Sequence, residues 1–141
     1  MTTNNPAVLR RLFDEVWNAG DCSGLEEILA PAYEIRHDPG DPWHGKTLDR
    51  AGFAERARVS RAPFPDQRFE IVEALADGDR VAVSWTWVGT HLGDLPGFPA
   101  SGKTIRMSGL TIYFFADGKV CGHWQVVDRL AVMQQLAAAK G

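Results

Sequence analysis

Four histidines, His37, His44, His91 and His123, are the side chains of this chain that exchange a proton near neutral pH without special surroundings. His123 alternates with Cys121 and Gln125, which places the three on one face of a strand. His91 ends a run in which Val81, Val83, Trp85 and Trp87 share its face, so it is expected at the rim of an aromatic surface. His37 adjoins Asp38 in His37-Asp38-Pro39-Gly40; an extended chain sends the two to opposite faces, whereas a loop can turn both inward. Burial in an apolar wall would raise the pKa of Asp38 and suit it to be a general base, while a turn beside Pro39 would leave it an ordinary carboxylate. His44, followed by Gly45, reads as structural or solvated. This inventory points to acid/base chemistry on a small molecule. It offers no Gly-rich phosphate loop, nucleophile elbow or metal-spaced cluster, so neither a metal nor a cofactor is expected. The two cysteines, Cys22 and Cys121, form no Cys-x-x-Cys pair and are too few for a disulfide framework.

The elements that must position these groups follow from periodicity. Val8, Leu9, Leu12, Phe13, Val16 and Trp17 share a helical face, with Asn4 or Asn5 as cap, Pro6 in the first turn, and Gly20 able to end the helix in the left-handed conformation. A short second helix fits Ser23 to Leu29 and stops at Pro31. Pro39, Gly40, Pro42 and Gly45 mark a loop. Thr47 is expected to cap a third helix to about Arg61, with Ala51, Ala54 and Ala57 as its packing stripe and Arg50, Arg56, Arg58 and Arg61 as a solvated face. From Pro63 the period becomes alternating. A four-stranded antiparallel meander is expected, turning at Asp77-Gly78-Asp79 and Ala116-Asp117-Gly118, with strands over 80–91, 105–115 and 119–127 and a loop over 93–102. Asp128 then caps a final helix with Leu130, Met133 and Leu136 inward. Helices followed by a meander make the chain α+β, with the helices on one face of a curved sheet.

The bulk composition agrees with one such unit. A length of 141 residues with 45% hydrophobic and 23% charged residues suits a single globular domain spanning 1–141 and excludes disorder and fibrous repeats. A net charge of −3 supplies no general attraction for a phosphate backbone, so nucleic acid is not an expected partner. No apolar run approaches the roughly 20 residues of a membrane helix, and the start Met-Thr-Thr-Asn-Asn lacks a signal pattern; a cytoplasmic protein without a membrane partner is expected. Five Trp, seven Phe and two Tyr are enough large rings to line a cavity as well as fill a core. Trp43 and Trp124 either contact a ligand or plug the fold.

Several short signatures occur in order: Trp17-Asn18-Ala19-Gly20-Asp21, Ala30-Pro31-Ala32-Tyr33, His44-Gly45, Asp77-Gly78-Asp79-Arg80-Val81, Gly89-Thr90-His91, Ser108-Gly109, Asp117-Gly118-Lys119, and Asp128 with Gln134-Gln135-Leu136 behind it. Together they resemble the SnoaL-like polyketide cyclase and ester cyclase family of the NTF2-like superfamily, over about residues 6 to 137. The resemblance implies a cone with a pocket between curved sheet and helices, aromatic residues at its narrow end, and a homodimer. It also implies cofactor-free aldol chemistry, in which an acid or base removes a proton beside a carbonyl and a donor stabilises the enolate. The family's acid/base Asp in the last strand corresponds to Gln125, and a His of some cyclases to Thr111. Both can only hydrogen-bond. The related ketosteroid isomerases carry their base at the position of Asp38, and their oxyanion donors at those of Phe13 and Thr111.

The expected function is therefore a polyketide cyclase-type protein that binds a hydrophobic, carbonyl-bearing molecule, with isomerase or lyase chemistry. Asp38, His123, Gln125 and Thr111 form its expected catalytic set, Asp38 or a histidine carrying the proton. His37, Trp43, Trp85, Trp87, His91, Trp124 and Asp128 are its expected ligand contacts, with Asp128 equally explained as a helix cap. The alternatives are a non-catalytic carrier or sensor that keeps the pocket, and a module whose sheet face serves to pair two subunits.

Overall fold

The Asn4 side chain accepts the amide of Ala7 and Pro6 occupies the first turn, so the chain enters a helix at once, α1 (Asn5–Arg11). The helix continues as a π-helical segment, Leu12–Asn18, whose wider turn carries Leu12, Phe13, Val16 and Trp17 all into the interior. Its last carbonyls are satisfied from elsewhere in the chain: Arg61 Nε and Gln67 Nε2 donate to Trp17 O at 3.0 and 3.1 Å. Gly20, at φ +70°, ends it. The computed structural model describes residues 4–140; residues 1–3 and 141 of the expected domain lie outside them.

The second helix is shorter than its hydrophobic pattern suggests. It covers only α2 (Leu25–Ile28), because Leu29 already has extended backbone and begins β1 (Leu29–His37). The sequence pattern assigns no element between Pro31 and the loop at Pro39, and the strand forms because a distant partner supplies its hydrogen bonds. It runs parallel to β6 (Lys119–Val127), with Ile35 beside His123, and pairs antiparallel with β2 (Thr47–Leu48). Thr47 thus lies in a strand. The cap of α3 (Arg50–Arg61) is Asp49, whose Oδ1 accepts the Gly52 amide at 2.7 Å. The buried face of α3 is Phe53, Arg56 and Ala57; Ala51 is exposed and Ala54 half-buried. The expected alanine stripe is therefore rotated, and Arg56, at 5% exposure, leaves the solvated face for the interior.

The meander itself forms as expected: β3 (Arg68–Asp77), β4 (Arg80–Thr90), β5 (Thr104–Ala116) and β6 are antiparallel neighbours. With β1 and β2 added, the sheet has six strands in the order β2-β1-β6-β5-β4-β3. Asp117 and Gly118 both take positive φ, 51° and 75°, as a type I′ hairpin turn requires. Register shifts between Ile71 and Glu73 and between Phe114 and Phe115 bend the strands and curve the sheet around α1 and α3. The last helix, α4 (Arg129–Lys140), starts where Asp128 Oδ1 accepts the Ala131 amide at 3.1 Å. Gln135 ties it to the backbone of Arg106 on β5 through 2.8 and 2.6 Å bonds. That tether turns Val132 and Leu136 inward, Leu136 as expected, and leaves Leu130 and Met133 exposed, contrary to the inward face expected of both. Among the described residues no helix is long and apolar enough to cross a membrane.

Candidate functional site

The curved sheet and the helices it cradles enclose a cavity of about 700 Å³, a volume suited to a small organic ligand. Most of its wall is aromatic. Phe13, Phe64, Phe69, Trp85 and Trp87 pack edge to face, from 4.8 Å for Phe64 with Trp87 to 5.5 Å for Phe13 with Phe69, and Trp17 lies tilted against Phe69 at 6.0 Å. The loop after β1 adds Trp43 to this lining. Trp85 lies across Gly109, where a Cβ would collide with its indole. The missing side chain lets Trp85 Nε1 reach Thr111 Oγ1 at 2.9 Å.

At the polar end the lining changes to Tyr33, Arg56, His123, Gln125 and Arg129. Behind them lies Asp38, at 1% exposure. Its Oδ2 accepts Gln125 Nε2 at 2.7 Å and His123 Nε2 at 3.0 Å, with Arg56 Nη2 at 3.4 Å. Its Oδ1 accepts Arg129 Nη2 at 2.8 Å, and Arg129 Nε also holds Pro39 O at 2.9 Å. The Asp38 amide donates to His44 Nδ1 at 2.8 Å, which fixes the turn. Two relays converge on this carboxylate. One runs Trp85 Nε1 to Thr111 Oγ1, then Thr111 Oγ1 to Gln125 Oε1 at 2.8 Å, then Gln125 Nε2 to Asp38. The other runs Tyr33 Oη to His123 Nδ1 at 2.6 Å and His123 Nε2 to Asp38.

The protonation states follow from these contacts. Burial pushes the Asp38 pKa up, but the hydrogen bond and charge of His123, together with the nearby Arg56 and Arg129 guanidinium groups, outweigh it and hold the carboxyl below its usual range. The raised pKa that an apolar wall would have produced is absent because four donors surround the group. For His123, burial is the largest influence and lowers the pKa; the Asp38 hydrogen bond opposes it, and the Arg56 charge reinforces it. A neutral imidazole with Nε2–H directed at Asp38 and Nδ1 accepting from Tyr33 satisfies both contacts. Burial keeps the Tyr33 phenol protonated, its pKa well above the ordinary value.

A family model for SnoaL-like polyketide cyclase matches residues 7–136. The chain belongs to the SnoaL-like polyketide cyclase family. Among solved structures, one from Acidithiobacillus ferrooxidans, provisionally designated a polyketide cyclase, is 47% identical with a TM-score of 0.92, over 99% of this chain and 98% of that one. IdmH from Streptomyces antibioticus, with the same provisional designation, is 28% identical with a TM-score of 0.80, over 95% and 99%. AclR from Streptomyces galilaeus, provisionally designated a hydroxylase, is 26% identical with a TM-score of 0.76, over 94% and 84%. No curated protein sequence matches the chain.

In this SnoaL-like chain the expected residues divide into three groups. His123, Gln125, Trp43, Trp85 and Trp87 line the cavity, as does Phe13. Asp38 and Thr111, 1% exposed each, stand behind the wall and orient what lines it. His37, Trp124, His91 and Asp128 lie elsewhere. His37 stacks on the half-exposed Trp124 at 4.1 Å on the outer side of the sheet, because Trp124 alternates with the inward His123 and Gln125. His91 is buried against Phe64, with Nδ1 on Ser101 Oγ at 3.1 Å, and its backbone closes the base of the loop over 92–103. Asp128 caps α4. Three site residues escaped the sequence reading: Tyr33, Arg56 and Arg129. The alternation of Tyr33 with Ile35 and the placement of Arg56 three residues after Phe53 are the signals that could have found the first two. Arg129 carries no such signal, since only the fold brings it to Asp38.

Proposed function

We propose that the chain binds a hydrophobic, carbonyl-bearing molecule in the aromatic cavity and moves a proton on it without a cofactor, as an aldol cyclase or isomerase. One observation carries this reading: a buried Asp38 carboxylate sits directly beneath His123 and Gln125, both of which line the cavity. A carboxylate behind a neutral imidazole stabilises the imidazolium that forms when the pair accepts a proton, and it fixes the ring's tautomer. Gln125 spends one amide hydrogen on Asp38 and keeps a second for a ligand oxygen. Enolate formation needs both services, a place for the proton and a donor for the developing oxyanion. The family's acid/base position, held by Gln125, becomes a donor on this reading, and the proton passes to the Asp38–His123 pair.

The test is deuterium incorporation beside the carbonyl of a hydrophobic enolisable ketone in heavy water, compared with Asp38→Asn and His123→Ala. Each variant should slow incorporation by about a hundredfold or more. Incorporation unchanged in both variants would sink the proton-transfer reading. A second reading, a non-catalytic carrier, is favoured by the saturation of both Asp38 oxygens by protein donors. It predicts a ligand that raises the melting temperature and is recovered with its α-hydrogens intact. On either reading we take the protein to be cytoplasmic and homodimeric, the dimer being supported by exposed Leu110, Ile112, Trp124 and Val126 side by side on the outer sheet face.

A further inference from the structure

The Asp38–His123 pair has no atom of its own free to meet a ligand. Both oxygens of Asp38 are taken by Arg129, His123, Gln125 and Arg56, and the residue lies behind the cavity wall. Both nitrogens of His123 are taken as well, Nε2 by Asp38 and Nδ1 by Tyr33. Gln125 and Thr111 exchange no proton at neutral pH. Tyr33 differs from all of these. Its ring is part of the cavity wall, fixed by an edge contact to Phe53 at 4.8 Å. Its hydroxyl gives its one proton to His123 Nδ1 and keeps lone-pair capacity for another donor. The second phenol of the cavity, Tyr113, has its ring 6.1 Å from that of His123, with no hydrogen bond between the two among the described residues.

We propose that Tyr33 is the catalytic acid/base that meets the ligand, its phenolic oxygen exchanging the proton that His123 and Asp38 stabilise behind it. This rests on the proton-transfer reading above and names the group that performs it. In the forward step the ligand's α C–H bond breaks, and its electron pair becomes the enolate. The proton forms a new O–H bond on Tyr33 as the original phenolic proton passes to His123 Nδ1. The imidazolium then faces the Asp38 carboxylate through Nε2–H, as in the charge arrangement of a hydrolase triad. The enolate carbon attacks a second carbonyl of the same molecule, and the resulting alkoxide takes a proton from Tyr33, which recovers its own from His123. Atoms and charges balance with no other reactant. Burial raises the phenol's pKa, so a free phenolate is not populated and the two proton transfers are concerted.

The experiment follows α-hydrogen exchange of β-tetralone in heavy water by NMR, with binding followed separately by quenching of tryptophan fluorescence. Tyr33→Phe keeps the ring against Phe53 and removes only the hydroxyl. The expected result is a loss of exchange by about a hundredfold or more with binding retained and the melting temperature lowered only by the loss of one buried hydrogen bond. In a Tyr113→Phe background Tyr33 is the one remaining tyrosine, since the chain has two. Fluorotyrosine incorporation there should shift the pH profile of exchange downward with the lowered phenol pKa, whatever the stability of Tyr33→Phe. Exchange at the parental rate in Tyr33→Phe, or a profile unmoved by fluorination, overturns the assignment of Tyr33 while leaving the proton-transfer reading standing. Binding without exchange in the parent protein overturns that reading, and the assignment of Tyr33 with it.

Discussion

Asp38 is the residue on which the polar end of the cavity depends. Replacing it with Asn removes the anion shared by Arg129, Arg56 and His123, and an uncompensated buried charge costs about 3 kcal/mol; urea unfolding of Asp38→Asn should show a drop of that order. The pH dependence of stability has a definite sign. His123 has a folded pKa below the ordinary 6.5, so below that pH the unfolded chain binds the extra proton and stability falls as pH falls. Asp38, also lowered, adds a further loss on descending through and below its ordinary 3.8. The urea midpoint should therefore decline from pH 7 to pH 5, and His123→Gln should flatten that decline; an equally steep decline in the variant would show that His123 is not the titrating group. Much of this residue-level picture was legible beforehand. Strict alternation placed His123 and Gln125 on one strand face, and His37-Asp38-Pro39-Gly40 marked a turn able to bring a carboxylate inward. That Asp38 carries a lowered pKa was not legible, because its four donors come from α3, β6 and the start of α4.

At the scale of elements, two glycines and one cap carry more than their size suggests. Gly109 gives Trp85 its place over β5, so Gly109→Ala should push the indole away, break its bond to Thr111 and cost about 1–3 kcal/mol as an overpacked contact does. A shifted tryptophan emission maximum is the readout. Gly122 lets β1 pass close beside β6, since a Cβ there would stand 2.5 Å from Glu34 O. The Asp128 cap holds the start of α4, which carries Arg129 to Asp38. Asp128→Ala should lower stability by about 1 kcal/mol and weaken ligand binding together with it; an unchanged ligand affinity would mean that Arg129 keeps its place without the cap. The meander, its hairpin turns and the first helix could be read from period and turn chemistry. β1 and the rotated face of α3 could not, since a parallel pairing between segments far apart in sequence leaves no local signature.

For the whole molecule, the sheet separates two surfaces of opposite use, the inner one forming the cavity wall and the outer one remaining uncovered. On the outer face Leu110 is registered with Val126, and Ile112 with Trp124, at 57, 47, 37 and 41% exposure. A patch of this kind suits pairing with a second copy. Ile112→Glu combined with Val126→Glu should convert a dimer to a monomer in sedimentation without altering the cavity, whereas a parent protein already monomeric at micromolar concentration would remove the dimer from the picture. By itself the sequence determined the fold class, the aromatic supply for a cavity, the inward face of β6 and the family, because these depend on periodicity, composition and ordered short motifs. Tertiary structure decided that Asp38 is a shielded carboxylate, that Arg56 is buried, and that the Tyr33 hydroxyl meets His123. Each of these depends on contacts between residues 15 to 91 positions apart, and no local pattern encodes which distant donor will reach a buried group.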